Sequence, residues 1–428
     1  MSIKFIDLFA GIGGIRKGFE LACKDKGIDT ECVFTSEIKP HAIEILKQNH
    51  PDEEIHGDIT QIPSNAIPDF DFLLAGFPCQ AFSSAGKRLG FYDTRGTLFF
   101  EVERILNEKS PYGFILENVE GLVNHDREKP TDKIGRTLTI ILDRLDKAGY
   151  KVNWKVLNAK YFGVAQERKR IYIIGTKKEI PNMDNFHTER RTVGDILEKG
   201  LPIEISPFIH KLLSHYSLND LMGKAIKDKR GGEDNIHSWD IELKGPITEK
   251  QKELLNIMLR ERRKKQWAEM YGIDWMDGMP LTIDMIRTFY NDPELEEMLE
   301  DLARKGYVKK EYPKRKEGLL RVQDETLPIG YNIVAGKMSF QISKILNPNE
   351  VAPTLVAMDM LHLYVVDTCG LRNLSLREGL RLFGYPEDFK FDIEKSLGYD
   401  LLGNTVVVPV IRAVANRVLD IYESEGNE

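Results

Sequence analysis

Phe5-Ile6-Asp7-Leu8-Phe9-Ala10-Gly11-Ile12-Gly13-Gly14 is the stretch on which the fold turns. Residues 4–9 read as an apolar strand, closely spaced glycines bend the chain, and Ile15, Phe19 and Ala22 continue at helical spacing. Strand, glycine turn and helix in that order open a doubly wound α/β sheet. The glycines let backbone approach a ligand, and the helix start favours polar or anionic groups. A short glycine turn is weak by itself. Glu37 strengthens it by ending the next strand, residues 32–36, where an acid holds ribose hydroxyls in nucleotide-binding folds.

Three more strand ends follow along the same sheet edge. Asp58 lies at the third, in Gly57-Asp58-Ile59-Thr60. The fourth strand, residues 70–75, runs into Gly76-Phe77-Pro78-Cys79-Gln80, and the fifth, 114–116, into Glu117-Asn118-Val119. A cysteine just after a strand and a proline sits on a turn where its thiolate serves as a nucleophile. Read alone, the same residue is equally a buried core cysteine, and Glu117 equally a cap on the next helix. Residues 151–157 and 170–175 are two further strands, preceded in the second case by Gln166-Glu167-Arg168-Lys169-Arg170, whose alternating guanidiniums suit a phosphate or a polar base edge.

The chain of 428 residues is 42% apolar, enough for two or three domains with real cores. No apolar run approaches a membrane span and no charged and apolar leader precedes the first strand, so the expected setting is cytoplasmic, with no membrane partner. Cys23, Cys32, Cys79 and Cys369 have no metal-ligand spacing, and three of them are expected as small core residues in a reducing compartment. A net charge of -7 excludes coating of nucleic acid by bulk attraction and leaves local basic clusters, at 227–230, 260–265 and 309–316, as the relevant feature.

After residue 177 the rhythm changes. Residues 177–330 hold 27 Lys plus Arg and 29 Asp plus Glu, with long helical patterns such as 247–271 and few compact strands, so a separate lobe is expected. Within it 281–290, 294–305 and a hairpin from 307–312 into 319–322 read as helix, helix and hairpin, the order of a winged helix. Residues 371–384 return to helical spacing, and 401–409 open a final helix.

Taken together and in order, these motifs resemble the DNA (cytosine-5) methyltransferases of bacterial restriction-modification systems. The resemblance rests on FIDLFAGIGG (5–14), Glu37, GDIT (57–60), DFLLAGFPCQAF (71–82), TRGTLF (94–99), ENV (117–119), QERKR (166–170), residues 372–384 and GNTV (403–406). It implies a catalytic S-adenosylmethionine-binding domain over 1–176, a target recognition domain over 177–369 with a helical, winged-helix-like insert at about 251–320, and a 370–428 segment returning to the catalytic domain. The insert has no placed counterpart in smaller family members.

The resemblance further implies that Cys79 adds to carbon 6 of a flipped cytosine, that Glu117 serves ring nitrogen 3, and that Arg168 and Arg170 contact the base or its flanking phosphates. Phe9, Ala10, Gly11, Gly13, Gly14, Glu37, Asp58, Pro78, Leu98, Asn404 and Val406 are the expected cofactor pocket. Phe9 lies against adenine, Glu37 takes the ribose hydroxyls and Asp58 the adenine amino group. Gln80, Ser83, Gln166 and Thr354 are the expected DNA contacts, the Thr354-Leu355 pair matching a signature late in the recognition region. Ala85 stands where some relatives carry a serine that fills the vacated stack. No metal is implied. Double-stranded DNA is the expected partner, a restriction endonuclease acts separately on the same site, and the enzyme is expected to be a monomer. An RNA methyltransferase of the same fold, and a catalytically silent DNA-binding protein, are the competing readings.

Overall fold

The computed structural model describes residues 2–77, 98–129, 131–229, 232, 234–273, 278–317, 320–335 and 340–425. They divide into two compact units, one of Met1–Glu198, Pro348–Leu361 and Leu374–Glu428, the other of Lys199–Asn347 and His362–Asn373.

The first unit is built on seven strands: β1 (Ser2–Leu8), β2 (Asp29–Ser36), β3 (Ile55–His56), β4 (Phe72–Ala75), β5 (Gly113–Val119), β6 (Lys151–Asn158) and β7 (Lys169–Thr176). Their spatial order is β3-β2-β1-β4-β5-β7-β6. Strands β1 to β5 pair in parallel, and β7 runs antiparallel to both its neighbours. Helices α1 (Gly14–Asp25), α2 (Pro40–Asn49), α3 (Leu98–Lys109) and α4 (Arg136–Lys147) supply the crossovers. Both faces of the sheet are covered, which is why the central strands read as apolar runs without clean alternation. On one face Ile6, Leu8, Leu73 and Ala75 pack with Val102, Ile105, Leu138 and Ile141 of α3 and α4. On the other, Phe5, Phe19 and Phe72 form a chain of rings 5.2 and 5.3 Å apart. Removing the ring of Phe19, fully buried at its centre, would cost about 3–5 kcal/mol.

The second unit begins with α5 (Pro207–His215), α6 (Leu218–Leu221), β8 (Ala225–Ile226) and β9 (Asn235–Ile236). Four helices follow: α7 (Glu249–Glu261), α8 (Lys265–Glu269), α9 (Ile283–Arg287) and α10 (Leu295–Arg304). Thr248 and Gln251 start α7 with a reciprocal capping box, and α7 to α10 enclose a core of Trp239, Leu254, Met258, Trp267, Leu299 and Tyr307. Then come β10 (Val308–Glu311), β11 (Lys314–Glu317), β12 (Leu320–Gln323), β13 (Gly330–Ile333) and β14 (Lys344–Ile345).

Strand β10 pairs with β13, and β11 with β12. The expected hairpin of 307–312 with 319–322 is therefore corrected to two nested pairs, with Pro313 interrupting the first strand. The expected helix at 281–290 is shorter because Thr282 caps α9 and Leu281 exchanges backbone bonds with Tyr331.

The chain passes through α11 (Ala357–Met360) in the first unit, then β15 (Leu363–Asp367) and β16 (Gly370–Asn373), which complete a second-unit sheet ordered β16-β15-β14-β8-β9. Cys369 lies exposed at the β15–β16 turn beside Thr368 at φ +33°, a correction to the core position expected for it, whereas Cys23 is buried. Helices α12 (Leu376–Leu382), α13 (Lys395–Asn404) and α14 (Val408–Glu425) close the first unit. Residues 395–424 do have the length and hydropathy of a membrane span, contrary to expectation, but most of this stretch is buried. Its apolarity is that of a core element, with Ile411 of α14 so close to Gly18 of α1 that a Cβ there would sit 2.5 Å away.

Candidate active site

Parallel pairing of β4 with β5 aligns Ala75 with Leu116, so Gly76 and Phe77 leave the sheet beside Glu117 and Asn118. A Cβ on Gly76 would stand 4.0 Å from Glu117 Oε2. Asn118, buried, donates from Nδ2 to the Phe77 carbonyl at 3.1 Å and accepts from the Val119 amide at 2.8 Å. This tether, unremarked in the sequence beyond its place in ENV, fixes the chain immediately before Pro78 and Cys79. Pro78, Cys79, Gln80, Ser83 and Ala85 lie outside the described residues.

Glu117 is 8% exposed. Burial raises its pKa above the usual carboxylate range, opposed by the guanidiniums of Arg170 and Arg168. Antiparallel pairing sets Val119 against Arg170, and the Arg170 Nε lies 3.1 Å from Glu117 Oε1. A carboxyl held in that balance can carry a proton and shed it within reach of a cation.

Arg168 is placed differently. It is 3% exposed, and its guanidinium donates to the carbonyls of Leu355 at 2.8 Å, Gly403 at 3.2 Å and Thr405 at 2.9 Å, lying 5.3 Å from the Phe383 ring centre. Gln166, fully buried, donates to the Leu382 carbonyl at 3.0 Å, and its Oε1 accepts from the Leu355 amide at 3.3 Å. The exposed Thr354 donates to the Glu167 carbonyl at 2.6 Å. These three residues join 165–168 to 352–355.

Seven of the residues expected around the cofactor, Phe9, Ala10, Gly11, Gly13, Gly14, Glu37 and Asp58, lie at or just beyond the ends of β1, β2 and β3. Glu37 Oε2 accepts from the Gly11 amide at 2.6 Å, and its Oε1 accepts from the Ile38 and Lys39 amides, both at 2.8 Å. Phe9 and Gly11 take left-handed conformations at φ +55° and +56°. A Cβ on Gly11 would meet nothing within 4 Å, so open space stands above the turn. Gly14 is instead required by packing, because a Cβ there would reach 2.6 Å from Tyr385 Oη and 2.7 Å from Val406 Cγ2. Gly13 precedes α1, and Ala10 is buried. Exposed Asp58 caps a short turn, its Oδ1 accepting from the Thr60 amide at 3.0 Å and the Thr60 hydroxyl at 2.8 Å. Leu98 begins α3, and exposed Asn404, near the end of α13, donates to the Asp400 carbonyl at 2.7 Å.

Asp7 was not among the expected residues, and its only sequence signal is an acid inside an apolar strand. It is 1% exposed and neither carboxyl oxygen has a hydrogen-bond partner. Its natural counter-ion, Arg16, is engaged by Glu20 at 2.7 Å and by both oxygens of Glu53. Burial pushes the Asp7 pKa up to about 8 against the pull of Arg16.

A family model described as C-5 cytosine-specific DNA methylase matches residues 3–420. The chain is 65% identical to the type II methyltransferase M.NlaIV of Neisseria lactamica, over 97% of this chain and 99% of that one. It is 42% identical to M.BanI of Aneurinibacillus aneurinilyticus, covering 100% and 97%. Among solved structures, the Entamoeba histolytica methyltransferase EhMeth superposes with a TM-score of 0.53 at 15% identity, over 99% of each chain. The S. pombe Dnmt2 methyltransferase does so with a TM-score of 0.51 at 16% identity, over 98% and 99%. The fold is thus that of S-adenosylmethionine-dependent methyltransferases, and the chain belongs to the C-5 cytosine-specific DNA methylases, enzymes that take their methyl group from S-adenosylmethionine.

Proposed function

We propose that this enzyme methylates carbon 5 of a cytosine flipped out of a specific duplex DNA site, through a covalent adduct with Cys79, and so shields host DNA in the bacterial cytoplasm from a cognate restriction endonuclease. The observation that carries the reading is the position of Glu117: buried, raised in pKa, 3.1 Å from Arg170 and beside the backbone that leads to Cys79.

Carbon 5 of cytosine is too weakly nucleophilic to react until the ring is activated. The Cys79 thiolate adds to carbon 6 while the Glu117 carboxyl gives its proton to ring nitrogen 3, so the electron pair pushed into the ring makes carbon 5 enamine-like. S-adenosylmethionine supplies the electrophilic methyl group. A base then takes the proton from carbon 5, the carbon–sulfur bond breaks, nitrogen 3 returns its proton to Glu117, and Cys79 leaves as thiolate. Arg170 keeps Glu117 oriented and stabilises its carboxylate between turnovers. Arg168 acts as a positioning residue, binding the 352–355 and 403–405 segments to the strand that bears Arg170.

The residues fit the cofactor. The space above Gly11 admits the methionine portion, Glu37 offers lone pairs to a ribose diol, Asp58 has an oxygen free for the adenine amino group, and Phe9 provides an apolar face. Val406 and Gly14 back the turn, while Leu98, Asn404 and Pro78 border the pocket in the sequence match. Unit two is read as the target recognition domain, with Thr354 and Gln166 supporting the chain that returns from it.

The test is incubation with labelled S-adenosylmethionine and duplex DNA, followed by bisulfite sequencing. Methylated cytosines at one recurring site are expected, and no methylation of any duplex overturns the reading. Duplex carrying 5-fluorocytosine at that site should trap an adduct with wild type and none with Cys79→Ala, since fluorine does not leave as a proton. An adduct persisting in the variant would assign the nucleophile elsewhere.

A further inference from the structure

The nested ribbon of the second unit is basic, whereas the span around it is slightly acidic. Residues 308–323 carry six Lys and Arg against two Glu, a net of +4, inside a span, 177–330, whose net is -2. In the outer pair Lys314 faces Gln323, Arg315 faces Val322 and Lys316 faces Arg321. Directly opposed residues project from the same side of an antiparallel pair, and next-but-one residues share that side. Lys314, Lys316, Arg321 and Gln323 therefore form one face.

Every one of those side chains is polar and none is acidic. Arg315, on the opposite side, is drawn back by Asp324 and by the Tyr271 carbonyl at 3.3 Å and takes no part in that face. Lys316, Arg321 and Gln323 are exposed, and among the described residues no carboxylate pairs with Lys316 or Arg321, while Lys314 lies 4.0 Å from Glu311. Lys250 and Arg287, by contrast, are held by acids, Lys250 by Asp292 at 3.1 Å and Arg287 by Glu296 at 2.6 Å. Placing Lys316 directly across from Arg321 opposes like charges and weakens the isolated ribbon. A polyanion laid on the face removes that repulsion.

We propose that this ribbon face docks on the sugar-phosphate backbone of the duplex substrate, giving the second unit a phosphate clamp that holds DNA without reading its sequence. The proposal rests on the reading that duplex DNA is what the enzyme binds. Two-stranded ribbons are wide enough to follow a groove, and lysine, arginine and glutamine are the residue types that donate to phosphate oxygens.

The test compares wild type, Lys316→Ala with Arg321→Ala, and a control with Lys250→Ala and Arg287→Ala, each binding short mixed-sequence duplexes across a salt series. Each phosphate contact contributes about 0.9 to the slope of log affinity against log salt. The ribbon variant should lose about 1.8 from that slope and about tenfold in affinity at 0.1 M salt, alike on unrelated sequences, while the control keeps the wild-type slope. Melting temperature should hold or rise slightly, because the double substitution removes the repulsion between Lys316 and Arg321. An unchanged slope in the ribbon variant, or an equal loss in the control, overturns the clamp. Failure of wild type to bind any duplex overturns the underlying function as well, so the two failures are distinguishable.

Discussion

Two strand ends of the same sheet each bury a carboxyl, and they are resolved in opposite ways. At the end of β5, Glu117 has Arg170 at 3.1 Å. Near the end of β1, Asp7 has no hydrogen-bond partner, because Arg16 is spent on Glu20 and Glu53. Both pKa values are raised by burial. The difference lies in what the proton can do. A buried acid with a guanidinium beside it can alternate between charge states at modest cost, as a proton donor in turnover must. One without a partner is held neutral, and its charge, once formed, works against the fold.

The largest expected effect comes from Glu117→Gln, which keeps the shape and removes the proton. Methylation should fall by about 10²–10⁴-fold, or roughly 3–5 kcal/mol of transition-state stabilisation, with melting temperature held or raised. Wild-type activity should decline as pH rises through the raised folded-state pKa of Glu117 and its proton is lost. A variant within threefold of wild type, measured by methyl incorporation, would erase the distinction drawn between the two acids.

Next is Arg168→Met, which strands three buried carbonyls and costs at least about 3 kcal/mol in denaturant unfolding at roughly 1 kcal/mol or more each. If the loss appeared in catalysis with stability untouched, Arg168 would belong with Arg170 at the reacting base.

Last is Asp7→Asn, whose effect is read in how stability changes with pH. Asp7 titrates near 3.8 unfolded and about 8 folded, so between those values the native state binds more protons than the unfolded chain. Its share of stability is intact below about pH 4 and is lost as pH rises towards 8, by at most about 1.4 kcal/mol per unit. Asp7→Asn should flatten the fall of melting temperature between pH 5 and 8. Parallel curves for the two proteins would mean that Asp7 has a partner in solution.

The first unit was legible because its strands announce themselves. The central ones are apolar runs whose ends carry the residues expected at the sheet edge, and residues 70–75 and 114–116 fall within or beside β4 and β5. The backbone partners of Arg168 were hidden from the sequence for a physical reason. Its acceptors lie 187 to 237 residues away, so local spacing makes it look like a surface cation alternating with Arg170. The five-stranded sheet of the second unit escaped notice because β8, β9 and β14 are two residues each, too short for any alternation to register, and join only through distant pairings. The ribbon was seen, but with the wrong partner for β10, since an inner pair between β10 and β13 cannot be told from a single tight hairpin by pattern alone.

The order of segments along the chain carries one more consequence, for anyone who would exchange the second unit between relatives. The second unit is not a single insertion: the chain leaves the first unit after Glu198, returns for Pro348–Leu361, and leaves again for His362–Asn373. The short return is bound to its host by Arg168, Gln166 and Thr354. A graft cut once on each side would carry that bound segment away and leave the Arg168 guanidinium facing foreign backbone. A working chimera needs two donor pieces, 199–347 and 362–373, threaded around fourteen residues of the recipient.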